Sequence, residues 1–184
     1  MDKREKIIHS AMKLFIDHGV QGTPMSAIAK AADTGMGTIY NYFATKEELI
    51  NAIYLYIKVD EAKGIGGSFK DEPVKRRFDH YFRTLVVYFA THPVKFAFMD
   101  QFHNSPILTP ETRTEGYKTI EPLLETIRMG QEQGVLKQID VWELLYFVNG
   151  GLMGFIRWIL RDNIKLTQDL LENQLKIAWD AAKV

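Results

Sequence analysis

Apolar residues recur at three- to four-residue spacing along almost the whole chain, and no stretch sustains strand-like alternation. Ile8, Ala11, Phe15 and His18 share one helical face that stops at Gly19. Thr23-Pro24 reads as an N-cap followed by proline at the first helical position, opening a short helix. Its inward face is Met25, Ile28, Ala29 and Ala32. Asp33-Thr34-Gly35 breaks that helix, and Met36, Ile39 and Phe43 form the next inward face. Thr45-Lys46-Glu47-Glu48 has the form of a capping box, with Thr45 as cap and Glu48 reaching back. Leu49, Ile53, Tyr56 and Ile57 carry that fourth helix to about Ala62.

Lys63-Gly64-Ile65-Gly66-Gly67-Ser68 is the clearest break, and the first functional unit is expected to end near it. Pro73 starts a helix with Val74, Phe78, Phe82, Leu85 and Phe89 inward, stopped by His92-Pro93. A short helix with Phe96, Met99 and Phe102 follows, then a loop at Asn104-Ser105-Pro106. Helix resumes at Thr109-Pro110-Glu111 and ends at Gly134; Pro122 either kinks it or marks its true start. Asp140 with Glu143 caps a long apolar helix through about Leu160. Thr167 caps the last helix, which carries Leu170, Leu171, Leu175 and Trp179. The pattern predicts an all-α fold of about nine helices, with a small N-terminal bundle and a larger C-terminal one.

Composition adjusts this picture in three ways. Apolar residues make up 46% and charged residues 25%, which suits a folded chain with a real core. Cysteine is absent, which excludes a disulfide framework, a thiol nucleophile and a thiolate metal site, and agrees with a cytoplasmic setting. The net charge is zero, whereas a chain that coats nucleic acid non-specifically is strongly basic. Any DNA binding must therefore be local and shaped. Up to position 46, Lys3, Arg4, Lys6, Lys13, Lys30 and Lys46 outnumber Asp2, Glu5, Asp17 and Asp33 by two. No signal peptide is visible. The longest uncharged apolar run, Leu144–Ile156, is far short of the roughly 20 residues a membrane span needs.

The stretch Thr23 to Lys46 carries the chemistry. Its second short helix commits few positions to the core and leaves Gly37, Thr38, Asn41 and Tyr42 on the other face. Gly37 lets backbone approach a phosphate. Thr38 offers a hydroxyl to phosphate or a methyl to thymine, and Tyr42 a phenolic hydroxyl to phosphate. These are the contacts a recognition helix makes in the major groove. Lys46 opens the following helix, where charge and helix dipole both favour a phosphate. The alternative is a buried helical hairpin, against which the exposed tyrosines beside Gly-Thr argue.

The segment resembles the DNA-binding domain of the tetracycline-repressor (TetR) family. The resemblance rests on Thr23, Ile28-Ala29, Gly37-Thr38-Ile39-Tyr40-Asn41-Tyr42-Phe43 and Thr45-Lys46-Glu47-Glu48-Leu49, preceded by Leu14 to Gly19. It implies a helix-turn-helix domain over residues 1–46 and a ligand-binding and dimerisation domain over 47–184, with helix four, about 46–62, connecting them. It also implies a dimeric regulator, usually a repressor, that leaves a pseudo-palindromic operator when a ligand binds. The DNA-facing residues it implies are Thr23, Ser26, Met36, Gly37, Thr38, Tyr40, Asn41, Tyr42 and Lys46. Among them Thr23, Tyr42 and Lys46 stand on phosphate, and Met36, Thr38, Tyr40 and Asn41 nearest the bases. Two departures concern the turn. Asp33 stands where the family commonly has a glycine with positive φ, which aspartate tolerates better than most residues. Gly35 replaces the usual serine cap, and Met36 stands where a polar residue is common.

The family's dimer interface comes from the last two helices. Here Asn149, Gly150, Gly151 and Gly154 permit close approach, and Phe155, Trp158, Leu171, Leu175 and Trp179 supply apolar surface; each is equally suited to an intramolecular core. Phe78, Phe82, Phe89, Phe96, Met99, Phe102, Tyr117, Leu124, Phe147 and Leu152 either line a cavity for an apolar or aromatic effector or are plain core. Asp100 and His103, at i, i+3, have no third metal ligand in view, so no metal or other cofactor is expected. An enzyme is the rival class, but phosphate-cradling loops, nucleophile elbows and paired metal-ligand motifs are missing. A helical scaffold that lost DNA binding is the other rival, supported only by the altered turn.

Overall fold

The computed structural model describes residues 2–65 and 72–184. Within them ten α-helices follow one another: α1 (Lys3–His18), α2 (Met25–Ala31), α3 (Met36–Tyr42), α4 (Lys46–Ile65) and α5 (Val74–Thr91), then α6 (Pro93–Phe102), α7 (Pro110–Lys118), α8 (Glu121–Glu132), α9 (Val141–Arg161) and α10 (Gln168–Ala182). No strand occurs among the described residues, only an isolated bridge between Leu136 and Lys183. The all-α expectation holds, and the tenth helix comes from Pro122. That residue lies in the first turn of α8, where its missing N–H has no helical partner to lose, so α7 and α8 are separate helices. Pro122 marks a start rather than a kink.

The fourth helix runs further than expected. Lys63, Gly64 and Ile65 are still helical, and a Cβ on Gly64 would stand 3.0 Å from Thr84. The rest of the expected break, Gly66-Gly67-Ser68, lies outside the described residues. The expected caps form at α9 and α10: Asp140 accepts from the amides of Trp142 and Glu143, and Thr167 from Leu170. At α1, Asp2 and Glu5 complete a reciprocal capping box.

The chain forms two compact units. The first comprises residues up to Val59 together with Val94–Tyr117, the second Asp60–Pro93 with Lys118–Val184. In the first unit, Asn51 fastens α4 to the loop after α6. Its amide nitrogen donates to Ile107 O at 2.9 Å, and its amide oxygen accepts from Thr109 N at 3.0 Å. Arg113 of α7 donates to the carbonyls of His103 and Ser105. Gly116 lies so close to the Tyr54 ring that a Cβ would approach it to 2.6 Å.

In the second unit, α5 presents Phe78, Phe82, Leu85, Val86 and Phe89 inward. Phe78 packs against Phe82 with the rings tilted and 4.7 Å apart, and meets Trp179 of α10 edge-on at 5.3 Å. Gly130 of α8 leaves room for Leu136 and Val74. Lys137 donates to the carbonyls of Ala181 and Lys183, where a cation complements the helix C-terminus.

His103 closes α6 in the first unit. Its ring lies parallel to Tyr54 at 6.3 Å, and its Nδ1 is buried with no hydrogen-bond partner. Burial first, then the charges of Lys58 and Arg113, hold its pKa below the ordinary histidine value. The folded state therefore keeps the ring neutral, and below about pH 6.5 the unfolded chain binds the extra proton. Stability is expected to be flat above that pH and to fall as pH drops toward the lowered folded pKa. His103→Gln should flatten this slope; urea denaturation from pH 7.5 to 5 checks it, and equal slopes in both proteins would contradict it.

Candidate nucleic-acid interface

A seven-residue helix is too short to persist alone in water. α3 is held by Ile39, which is fully buried, and by Phe43 at its C-terminal end. They pack in a core built from Ile7, Ile8, Ala11, Met12 and Phe15 of α1, Met25, Ile28 and Ala29 of α2, and Leu49, Ile50 and Ile53 of α4. Because Ile39 is the only fully buried residue inside α3, the other positions remain available. Met36, Gly37, Tyr40, Asn41 and Tyr42 are exposed and Thr38 is half-buried, with Tyr40 the most exposed of the large side chains at 52%. On α2, Ser26 and Lys30 are exposed.

The turn between α2 and α3 closes as a Schellman motif. Asp33 has φ +51°, its N–H donates to Lys30 O, and the N–H of Thr34 donates to Ala29 O. The left-handed conformation expected at Asp33 is present. Gly35 caps α3 without a side-chain hydrogen bond, so no hydroxyl occupies the first-turn amides.

At the start of α4, Thr45 accepts from Glu48 N at 3.1 Å, while the Glu48 carboxylate accepts from Ala44 N at 2.7 Å. The box closes one residue earlier than expected. The half-buried Lys46 donates to Val20 O at 3.0 Å, which fixes its ammonium and leaves two further N–H donors. Lys46 is therefore a charge held in place at the start of α4, three residues after Phe43.

Thr23 requires a correction. It is 1% exposed, and its hydroxyl shares its proton between Leu14 O at 3.1 Å and Gly19 O at 2.8 Å. It does not cap α2, whose N-cap is Pro24, and its hydroxyl is committed to carbonyls within the chain. It ties the end of α1 to the start of the motif. In the sequence alone, Arg4 figures only as part of the basic lean of the first segment. Its guanidinium lies 5.5 Å from the centroid of the Phe43 ring, at the end of α3. Arg4 precedes Ile8, Ala11 and Phe15 on one helical face, so the same periodicity contained the signal.

The remaining candidates divide. Phe78, Phe82, Phe89, Leu124 and Leu152 are buried in the second unit; Phe96, Met99 and Phe102 are buried in the first, with Tyr117 half-buried. Phe147 is 70% exposed on α9, at the edge of the buried stripe of Leu144, Leu145, Val148 and Leu152, and so lines no interior of its own chain. Gly150, Gly151 and Trp158 share exposure with it, and Asn149 and Gly154 are half-buried. Phe155, Leu171 and Leu175 are instead core residues of the chain itself, and Trp179 is engaged by Phe78 and by the Lys75 ammonium. Asp100 is exposed, and among the described residues no three His, Cys, Asp or Glu side chains gather to hold a metal. No described helix is long and apolar enough to cross a membrane.

Two short helices joined by a closed turn, with the second presenting small, hydroxyl and amide groups outward, define a helix-turn-helix DNA-binding module. Residues 7–53 match the family model of bacterial regulatory proteins, tetR family, and residues 57–184 that of the tetracyclin repressor-like C-terminal domain. The chain belongs to the TetR family of DNA-binding transcriptional regulators. It is similar to the transcriptional regulator YhgD of Bacillus subtilis, 38% identical over 34% of this chain and 36% of that one. It is similar along most of its length to the transcriptional repressor DhaR of a Mycobacterium species, 25% identical over 97% of this chain and 91% of that one. Among solved structures, a TetR-family regulator from a Shewanella species superposes with a TM-score of 0.90 at 23% identity, covering both chains entirely. The regulator FadR of Bacillus subtilis, solved with stearoyl-CoA, superposes at 0.78 and 17% identity over 96% of this chain and 98% of that one.

If Thr23 is a tie rather than a contact, Thr23→Val should lower stability by about 1 kcal/mol, the net worth of one buried hydrogen bond. The slope of DNA affinity against salt should stay unchanged. Urea denaturation and a salt titration check both; a shallower salt slope would put Thr23 back on the phosphate.

Proposed function

We propose that this chain is a homodimeric repressor, acting in the cytoplasm, that leaves a pseudo-palindromic operator when a small apolar or aromatic effector binds its C-terminal domain. The observation that carries it is the division of α3, with Ile39 buried and Met36, Gly37, Thr38, Tyr40, Asn41 and Tyr42 left facing outward. In this reading Tyr42, Lys46 and Arg4 stand on phosphates and set the register, Ser26 lies at the edge of the groove, and Met36, Thr38, Tyr40 and Asn41 meet the base edges. The turn at Asp33 does not weaken it, because aspartate closes the motif as glycine would. The protein's role is binding rather than catalysis.

Dimerisation is supported by three glycines inside α9. Gly150, Gly151 and Gly154 each cost a helix about 0.8–1.0 kcal/mol relative to alanine. A Cβ at any of them would meet nothing within 4 Å in its own chain, so no internal contact requires them. The same stretch exposes Tyr146, Phe147 and Trp158. A second copy packed closely on this face accounts for both features. Effector binding is supported by the aromatic interior of each unit, and FadR, solved with stearoyl-CoA, gives the precedent. Release requires the effector to favour the conformation in which the two α3 helices no longer fit the operator.

Lys46→Ala should weaken binding to all DNA sequences alike and reduce the log–log salt slope by about one contact per protomer. Fluorescence anisotropy with a specific and a scrambled duplex across a salt series measures this. An unchanged slope would remove Lys46 from the phosphate-binding set.

A further inference from the structure

The exposed face of α3 lacks the arginine, lysine and carboxylate side chains that pair most specifically with guanine or cytosine. Guanine is read by the paired donors of arginine or lysine on O6 and N7, and cytosine by a carboxylate that accepts from its N4 amine. From Thr34 to Thr45 the sequence contains no arginine, lysine, aspartate, glutamate, glutamine or histidine. What α3 exposes is one amide, Asn41, and apolar or hydroxyl groups: the Met36 thioether, 37% exposed, the Thr38 methyl and hydroxyl, and the phenols of Tyr40 and Tyr42. A phenol or threonine hydroxyl both donates and accepts, so it distinguishes no base.

Asn41 is the discriminating group that remains. An asparagine amide pairs with adenine, accepting from the N6 amine and donating to N7. Among the described residues no hydrogen bond engages the Asn41 side chain, so its donors and acceptor are not committed within the chain. Gly37 lies four positions earlier on the same face, and a Cβ there would meet nothing within 4 Å. That open lane lets a base edge approach the amide. Met36, beside Gly37 at the start of α3, is apolar, and the thymine 5-methyl offers a matching surface.

We infer that the operator positions under α3 are A·T pairs, with Asn41 the adenine reader and Met36 the thymine-methyl contact. This rests on the DNA-binding assignment above and adds which base pairs it selects. Lys46, Arg4 and Lys30 supply charge around this surface but lie outside α3, where phosphate contact sets affinity and not sequence.

The test is selection from a randomised duplex library by the full-length protein at fixed salt, followed by binding to the selected duplex with deoxyuridine replacing thymidine. Half-sites should carry A·T at the positions that Asn41→Ala relaxes, and replacing such a pair by G·C should weaken wild type by about 5- to 150-fold. Uracil lacks the methyl, so it should weaken wild type several-fold while leaving Met36→Ala indifferent. Selection of G·C at the positions that Asn41→Ala or Met36→Ala relaxes would overturn the inference, as would wild-type binding unmoved by uracil. A library in which no sequence is enriched would instead remove the sequence-specific role itself, and the inference with it.

Discussion

The whole account depends on the burial of Ile39 and Phe43. α3 has seven residues, and without these two anchors in the pocket formed by α1, α2 and α4 it would not hold a helical conformation. The same economy of anchoring frees the rest of the helix. A longer or more apolar helix would have buried more of its positions and had less to present to DNA. The Schellman closure at Asp33 then sets where α3 begins, and Thr23 fixes where α2 begins by joining it to the end of α1. Each of these is a backbone or core constraint, yet together they determine where Met36, Thr38 and Asn41 point.

The polar parts of the first unit extend this order beyond the motif. Asn51 uses both ends of its amide to hold the loop after α6 against α4, and α4 begins at the positioned ammonium of Lys46. Replacing that amide by an apolar group would remove both bonds and leave the Ile107 carbonyl and the Thr109 N–H without their partner. Any rearrangement of α6 or α7 is thereby felt by α4, which carries Lys46.

Much of this was legible in the sequence, and the misses share a cause. Periodicity places a residue on an inward or outward face but does not say which chain lies on the inward side. Leu171 and Leu175 have the spacing of an interface and are buried within their own chain, whereas Gly150 and Gly151 face outward over empty space. Phe147 has the residue type of a cavity lining, yet its register on α9 puts it on the exposed face. Thr23 has the residue type of a helix cap, but its hydroxyl meets carbonyls nine and four residues earlier, contacts that only the folded chain creates. Pro122 could be read two ways from the sequence because a proline suits a first turn and breaks an interior. Local chemistry fared better: the caps at Asp140 and Thr167 and the positive φ at Asp33 depend on neighbours within a few residues.

The central claim is that two copies of this chain present α3 to adjacent major-groove faces of one duplex. Hydroxyl-radical footprinting of the full-length protein on a duplex that it binds specifically measures this directly. The account predicts two symmetric protected patches on one side of the helix, their centres separated by about 10 base pairs or a multiple of it. A single asymmetric patch, or uniform protection without a repeat, would contradict it.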